Sequence, residues 1–482
     1  MNIFSGKGIL IISSLWATML LGTSCSHEPT QAELRDQRLF ERAKEAYEFC
    51  YPMLANYRTL FTSALDPKRH AAFDPAINQL WISPPDSMWT TPPFLDQNHD
   101  TPYSGAWLFL GNEPMVLKLP KMEPNRYFSC QLIDFFTYNF AYLGTRESGN
   151  QGGTYLITGP GQSVDDPQNY DRIIRCETLF AFLIIRTEAF SDEDLSRVQT
   201  LQSSVELLPY STFTRSEKPV ATRTLLEKVL PYDEKLSQSP AFIRYANAMI
   251  SWQPIHPDDQ PVIDSMAAIG IGPEQPFLLE PDDPDWKTIQ LGIDSAMASI
   301  REKAALVDQR INGWDIPFSQ GPRSNFGKNY LLRSALAYED LYGTNHQDAM
   351  SPTALVDKDG KPLTGRYSYQ IVLDSLTTPP VDYFWSISAY RASDGQMEDN
   401  PIHRFRISSR DALEPSKDGR IRILLQHATP PPALLQNWLP IPEGSFFITM
   451  RLYGPDRPAL DGRWQPAPIA KVKPSKTDPN PR

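Results

Sequence analysis

The chain is 482 residues long, carries a formal net charge of −11 and is 41% hydrophobic, so it can bury a core and is long enough for two or three domains. A protein with this charge is repelled by phosphate backbones, and we therefore expect no nucleic-acid partner. Proline contributes 45 residues, and because proline interrupts helices and central strands, many loops and short strands are expected.

Residues 1–24 have the pattern of a signal peptide. An apolar run from Ile9 to Leu21 ends in the small residues 22–24, directly before Cys25. The run is shorter than the roughly 20 residues that cross a bilayer. Small residues before a cysteine resemble the lipobox of bacterial lipoproteins, although Leu21 lies one place earlier than the leucine of that motif. We predict export to the cell envelope, in the outer membrane or periplasm, with a lipid anchor on Cys25; a plain cleaved signal peptide and a retained anchor are the alternatives.

The predicted elements alternate between helix and strand along the chain. Helical periodicity covers residues 31–65, and a Pro-rich loop follows. From about Tyr103 the period is two, and strands are predicted at 107–110, 115–119, 126–134, 155–157 and 178–186. Helices return at 242–249, 262–269, 286–304 and 330–342. Strands follow at 366–373, 384–390, 405–408, 421–426 and 446–453.

This order predicts an α+β protein, mainly β with helices, in which two jelly-roll-like β-sandwich domains are joined by a helical segment. No short-period repeat is visible, and a relation between the two β regions stays open. The predicted segments are a signal peptide (1–24), N-terminal helices with the Pro-rich loop (25–95), an N-terminal β domain (96–215), a helical linker (216–345), a C-terminal β domain (346–470) and a disordered tail (471–482).

Two stretches of the sequence are more specific than its composition. The first contains NHDTPYS at 98–104 and QLID at 131–134; the second contains FWS at 384–386, NWLP at 437–440 and RLY at 451–453. Together they resemble the paired domain-of-unknown-function families 1254 (N-terminal) and 1214 (C-terminal), over nearly the whole chain after residue 24. The resemblance implies two jelly-roll-like β domains joined by helices, often in exported proteins, and it implies no established activity.

The first candidate site lies where the Pro-rich loop meets the first sheet, a position that presents polar groups from a rigid frame. We predict Asp100 as a general base, Tyr103 as a donor to developing negative charge, and Asn98 as a residue that orients the ligand. Asp134 falls in phase with the apolar face of its strand, so it is either paired or functional, and Arg126 is the candidate partner. The alternative is structural: an Asx turn before a strand and an Asp–Arg pair that holds a loop.

The second candidate site is a group of aromatic residues with a few polar ones, a composition that suits sugars or amphiphilic ligands. We predict ligand binding by Tyr383, Trp385, Trp438 and Arg451. The remaining members of the group are Asp382, Tyr390, His403, Asn437 and Tyr453. The alternative is that these aromatics are core residues. The sequence contains no P-loop, H-E-x-x-H, G-x-S-x-G or H-x-H motif, so we predict no metal and no cofactor.

Three hypotheses for function follow from these patterns. The first is an envelope protein with a binding or assembly role, which we expect to be a homo-oligomer and to take a small-molecule or amphiphilic ligand. The second is an envelope hydrolase or lyase whose acid–base groups are Asp100, Tyr103 and Asp134, with Arg126 for charge. This second hypothesis requires Asp100 and Asp134 to converge within about 5–10 Å, the range over which carboxylate pairs cooperate. The third is a mainly structural surface protein.

Overall fold

The computed structural model describes residues 29–66, 68, 76–84, 97–163, 167–217 and 229–472. The predicted signal peptide, the anchor at Cys25 and most of the Pro-rich loop lie outside the described residues. The same is true of residues 473–482, the greater part of the predicted disordered tail. In the part of the chain that is described, no helix has the length and apolar character needed to cross a membrane.

The first helix, α1, covers Gln31–Leu60 and continues in a π-helical turn at Phe61–Leu65. Its first turn is closed by a capping box, in which the Thr30 hydroxyl accepts from the Glu33 amide and the Glu33 carboxylate accepts from the Thr30 amide. The other helices of the described residues are α2 (Leu195–Ser203), α3 (Tyr210–Thr214), α4 (Glu234–Ser237), α5 (Phe242–Trp252), α6 (Gln260–Met266), α7 (Pro284–Ala304), α8 (Tyr330–Glu339) and α9 (Arg457–Leu460). The five predicted helices are confirmed, although α8 ends three residues early.

Twenty strands form four sheets in the described residues. The N-terminal strands are β1 (Trp81–Ile82), β2 (Tyr103–Phe109), β3 (Met115–Leu119), β4 (Phe128–Asp134), β5 (Asn139–Gly144), β6 (Gly153–Thr158), β7 (Arg172–Arg175), β8 (Phe180–Thr187) and β9 (Glu206–Pro209). The C-terminal strands are β10 (Gln309–Ile311), β11 (Trp314–Ile316), β12 (Ala349–Met350), β13 (Thr353–Ala354), β14 (Tyr369–Leu373), β15 (Val381–Arg391), β16 (Arg406–Ser408), β17 (Ile421–Gln426), β18 (Trp438–Pro440), β19 (Phe446–Pro455) and β20 (Ala470–Lys471).

The strands build two sandwiches. Sheet 1 (β1-β2-β8-β4-β5) packs against sheet 2 (β7-β6-β3-β9) over a core that includes Leu108, Leu117 and Leu183. Sheet 3 (β10-β11-β13-β19-β15-β16, with β12 also on β19) packs against sheet 4 (β18-β17-β14-β20) over a core that includes Ile371 and Met450. The predicted α+β class is confirmed. The jelly-roll detail is not, because β6–β7 and β17–β18 are parallel pairs, whereas a jelly roll is antiparallel.

The helices form a layer on the free face of sheet 1. Trp107 of β2 and Phe182 of β8 stack at 4.4 Å and belong to the same core as the buried residues of α1, α5, α7 and α8. Helix α1 approaches α7 closely at Gly292, where an added Cβ would lie 2.7 Å from the Ala43 Cβ. The helices between the two β regions therefore pack with α1 on the N-terminal sheet.

The two sandwiches follow the same chain path. Strands β2 to β9 visit sheets 1 and 2 in the order 1-2-1-1-2-2-1-2, and β13 to β20 visit sheets 3 and 4 in the same order. The neighbours also correspond: β8 lies between β2 and β4 as β19 lies between β13 and β15, and the parallel pair occurs at the same place in both. The chain is therefore an internal structural duplication, which answers the question that the sequence left open about its two β regions.

Candidate functional site

A buried polar layer lies between sheet 1 and sheet 3. On sheet 1, Tyr103, Arg186 and Ser129 stand opposite one another on β2, β8 and β4. On sheet 3, Ser386 stands opposite Arg451 on β15 and β19. We call the interdomain layer the set of buried residues Asp100, Tyr103, Tyr127, Ser129, Arg186, Asp348, Ser386, Arg451 and Tyr453.

Asp100 connects the N-terminal half of the layer to sheet 3. Its amide donates to Asn98 Oδ1 at 2.8 Å, the Asx turn that the sequence suggests, and its carboxylate Oδ2 accepts from the hydroxyls of Ser386 (2.5 Å) and Tyr453 (3.1 Å). Arg406 Nε lies 3.1 Å from Oδ1, close enough for an ion pair although the N–H is not aligned for a hydrogen bond. Both carboxylate oxygens of Asp100 therefore contact groups from the C-terminal half, Oδ2 through hydrogen bonds and Oδ1 through an ion pair.

Asp348 makes the reciprocal connection. Its Oδ2 accepts from the hydroxyls of Tyr127 (3.0 Å) and Ser129, and Arg146 Nε lies 3.6 Å from Oδ1. Burial raises the pKa of Asp348, and hydrogen bonds from Ser129 and the charge of Arg146 oppose that rise. Each half of the molecule thus supplies an aspartate that accepts from a serine and a tyrosine of the other half.

The duplication makes these residues equivalent in pairs. The Asp100 carbonyl accepts from the amide of Ala189, three residues after Arg186. The Asp348 carbonyl accepts from the amide of Gly454, three residues after Arg451, at the same 2.9 Å. Since Ser129 faces Arg186 as Ser386 faces Arg451, the layer contains two copies of one Asp–Ser–Arg arrangement.

The two equivalent arginines have few partners. Arg186 Nη1 donates to Gln131 Oε1 at 2.7 Å, and its guanidinium lies 5.4 Å from the ring centre of Tyr103. Arg451 Nη2 donates to the Gln97 carbonyl at 3.2 Å, while its Nη1 has no hydrogen-bond partner among the described residues. No carboxylate of the described chain lies within 4.0 Å of either guanidinium, whereas most buried charges in proteins are paired.

The layer is deep but not closed to water. Arg186 and Arg451 each keep 7% of their surface accessible to water, and Tyr103 keeps 6%. Ser129 and Ser386 have no accessible surface. Burial and the nearby Asp100 raise the pKa of Tyr453 well above its ordinary value, so this hydroxyl stays neutral near pH 7. Burial by itself lowers the pKa of Arg186 and of Arg451, but the surrounding tyrosines and aspartates raise both above the ordinary value. The layer therefore holds two charged guanidiniums at a place that water reaches.

Some predicted site residues meet in this layer and others do not. Asn98, Asp100, Tyr103 and Arg451 lie together, and Asn98 Nδ2 donates to the Tyr453 hydroxyl at 3.1 Å. Asp134 lies five residues beyond Ser129 on β4, roughly 17 Å along the strand. The convergence of Asp100 and Asp134 that the acid–base hypothesis requires is therefore wrong.

The environment of Asp134 is structural. Its Oδ1 accepts from the Tyr138 amide at 2.9 Å, and burial raises its pKa to about 7. The predicted pairing with Arg126 is also wrong, because the Arg126 guanidinium is taken up by Glu123 at 2.8 Å and Asp194 at 2.6 Å. All three guanidinium nitrogens of Arg126 therefore bond to groups outside the layer.

The second predicted group is split between the two faces of its strands. Trp385 lies in the core between sheets 3 and 4, opposite in direction to its neighbour Ser386, and Trp438 donates to the Gln426 carbonyl at 2.8 Å on sheet 4. Tyr383 packs at the edge of the layer with its ring 5.4 Å from that of Tyr127. Of the other members, Tyr390 donates to the Gln97 carbonyl beside Arg451, whereas Asp382 and His403 are exposed and Asn437 bonds to Glu414.

The structure adds residues that sequence reasoning missed, namely Arg186, Asp348, Ser386 and Arg406. A signal for part of this set is visible afterwards: NHD at 98–100 and NHQD at 345–348 occupy equivalent positions before the first strand of each repeat. Both motifs carry a histidine, buried at His99 and half-buried at His346, and burial lowers the pKa of His99 to about 3 and that of His346 to about 4. No group of three or more His, Cys, Asp or Glu side chains suited to a metal ion occurs in the described ranges.

The fold and the layer define a duplicated α+β protein whose two halves meet over polar residues. Residues 77–209 match the family model described as protein of unknown function (DUF1254), and residues 348–457 match protein of unknown function (DUF1214). The chain belongs to this pair of families. The matched ranges cover strands β1–β9 and β12–β19, so they include all of the first repeat (β2–β9) and all of the second repeat (β13–β20) except β20.

Two solved structures are similar to this chain. The VPA0106 protein from Vibrio parahaemolyticus aligns with a TM-score of 0.73 and 21% identity, over 90% of this chain and 100% of that one, and shows the same fold. A putative uncharacterized protein from Burkholderia cenocepacia aligns with a TM-score of 0.41 and 11% identity, over 91% of this chain and 95% of that one. No curated protein matches the chain.

Proposed function

We propose that this chain is a ligand-binding protein of the cell envelope and that the interdomain layer holds a small polar ligand. The observation that carries the proposal is Arg451, whose buried guanidinium has an Nη1 without a hydrogen-bond partner in the described residues. A buried charge without its full set of partners destabilises a fold by several kcal/mol. A ligand that accepts from this nitrogen would offset that cost.

The contacts of Asp100 favour binding over the alternative, an envelope hydrolase or lyase with Asp/Tyr acid–base groups acting on a small or amphiphilic substrate. A general base needs an oxygen within hydrogen-bond reach of the proton that it removes. Asp100 accepts from Ser386 and Tyr453 and contacts Arg406. Because Oδ2 accepts two hydrogen bonds and Oδ1 faces the charge of Arg406, Asp100 is better suited to hold the two halves together than to take up a proton.

The location of the protein is part of the same proposal. Five residues, 26–30, separate Cys25 from the start of α1 at Gln31, a span of at most about 18 Å when extended. A lipid on Cys25 would keep the folded body close to the membrane, where it meets envelope metabolites. Radioactive palmitate should label the wild-type chain but not Cys25→Ser, and equal labelling of the two would contradict the anchor.

Native mass spectrometry tests the binding function. The mature chain, made without Cys25 and purified gently from its own host, should carry a reproducible added mass per subunit, and the same spectrum reports the expected homo-oligomer. Arg451→Gln should lose the added mass. Arg126→Gln is the matched control, because Arg126 is also buried but is paired with Glu123 and Asp194, and it should keep the ligand. Wild-type protein that is bare in every preparation would contradict the proposal.

A further inference from the structure

The duplication gives the layer two equivalent cationic positions. Arg186 and Arg451 occupy the same place in their repeats, because each stands opposite a serine and each lies three residues before an amide that donates to the aspartate of its own repeat. Both side chains are 93% buried, as their 7% accessible surface shows. A ligand that binds one of these two guanidiniums therefore finds a second, equivalent guanidinium in the same layer.

The guanidiniums of Arg186 and Arg451 lack a direct carboxylate partner among the described residues. Asp100 is paired with Arg406 at 3.1 Å, and Asp348 faces Arg146 at 3.6 Å. Both aspartates therefore make their close contacts with other arginines, and they act on Arg186 and Arg451 only from beyond 4.0 Å. Tyr127 and Tyr453 cannot compensate, because burial raises the pKa of each well above its ordinary value and keeps it neutral.

Tyr103 interacts with both arginines. The Arg186 guanidinium lies over the ring of Tyr103, and Arg451 also interacts electrostatically with Tyr103. On the other side of the layer the rings of Tyr127 and Tyr453 are 5.0 Å apart. Tyr103 thus interacts with both cations.

The chemistry of the guanidinium selects the ligand. Its planar fork of N–H donors matches carboxylate and phosphate oxygens, and such charge-assisted pairs are the strongest hydrogen bonds in proteins. Ser388, buried on the same face of sheet 3 as Ser386, has a hydroxyl without a hydrogen-bond partner in the described chain and adds another donor. A molecule with two acidic groups would give each guanidinium the direct partner that it lacks within the described residues.

We infer, resting on the proposed ligand-binding function, that the ligand is a small organic dianion whose two acidic groups are held by Arg186 and Arg451, one by each. The tyrosines of the layer would pack against the carbon chain between the acidic groups. The reciprocal Asp–Ser contacts would keep the two arginines at a constant separation. The site is then a two-ended receptor, and its selectivity depends on the distance between the two acidic groups.

Isothermal titration of the mature chain with succinate, glutarate and acetate tests this inference, after exhaustive dialysis to remove any bound ligand. At least one dicarboxylate should bind ten times or more tightly than acetate. Arg186→Gln and Arg451→Gln should each lower that affinity by at least tenfold and to a similar extent, and Arg126→Gln should not. If a glutamine variant does not fold, Arg186→Lys and Arg451→Lys keep the charge but lose the fork, and they should still bind dicarboxylate more weakly than wild type.

Two results would overturn the inference, and they are distinguishable from failure of the proposed function. The dianion is contradicted if acetate and the dicarboxylates bind with equal affinity. It is also contradicted if neither arginine substitution changes the affinity for dicarboxylates. If native mass spectrometry meanwhile shows a bound neutral molecule, the binding function stands and only the ligand class is wrong. If the purified chain is bare and no carboxylate binds, both are wrong.

Discussion

Replacing Asp100 by asparagine removes the carboxylate that joins the two halves of the molecule. Asp100 is fully buried and its partner Arg406 has a side chain that is only 11% exposed, so solvent screens the pair little. Removing one partner of a buried ion pair costs about 3–5 kcal/mol, because the remaining charge is left uncompensated. Asparagine keeps the shape of the side chain and one acceptor oxygen but loses the charge that Arg406 faces. We therefore expect Asp100→Asn to lower the free energy of unfolding by about 3–5 kcal/mol. Urea unfolding at pH 7, followed by tryptophan fluorescence, measures the change.

The equivalent Asp348→Asn should be milder. Its cation, Arg146, is farther away at 3.6 Å and its side chain is 23% exposed. Burial also raises the pKa of Asp348, so the neutral amide resembles the form that the site already favours. We expect a loss of about 1–3 kcal/mol, mainly from the hydrogen bonds of Tyr127 and Ser129. Asp418→Asn, which breaks an exposed pair with Arg422, is the control and should unfold like wild type. Asp100→Asn within 1 kcal/mol of wild type would refute the reasoning.

Three further predictions follow from individual contacts. Burial raises the pKa of Asp134 from 3.8 to about 7, so between these pH values the folded chain keeps a proton that the unfolded chain releases, and the free energy of unfolding falls as pH rises. In urea titrations between pH 4 and 7, Asp134→Asn should reduce the slope of the free energy of unfolding against pH. An unchanged slope would contradict the raised pKa of Asp134. Asn98→Ala loses the acceptor for the Asp100 amide and the donor to Tyr453 and should lower stability by about 1–3 kcal/mol, whereas an unchanged urea midpoint would show that the turn is not needed. The three thiols of the folded chain, Cys50, Cys130 and Cys176, are buried, and burial raises their pKa values, to about 12 for Cys50 and Cys176. Ellman's reagent should therefore label no thiol in the native chain made without Cys25 and three thiols after unfolding. Labelling of the native chain would contradict the burial of these thiols.

Much of the secondary structure could be predicted because the spacing of buried residues repeats several times within a long helix or strand. Helix α7 and strand β19 each repeat their apolar pattern several times, and both were predicted close to their observed bounds. The short strands β7 and β18 have four residues or fewer, too few for alternation to be recognised. Helix α8 was predicted to be too long because Tyr342, three residues past its end, is still buried against Phe182 at 5.0 Å.

The site could be predicted only where a loop marked it. Asn98 and Asp100 precede a strand in a turn-forming pattern, which local chemistry reveals. The partners of the Asp100 carboxylate are 286 or more residues away in the sequence, Ser386 being the nearest of them, and no local pattern connects them. On β15 both faces are buried, so the sequence did not show that Ser386 faces the layer while the more conspicuous Trp385 faces the core.

The central claim is that the interdomain layer binds a small anionic molecule between Arg186 and Arg451. A crystal structure of the mature chain, purified gently from its own host, tests it most directly. The account predicts electron density for a small molecule within hydrogen-bond distance of both guanidiniums, including Arg451 Nη1. Density for water alone, with both arginines turned onto carboxylates of the protein itself, would contradict it.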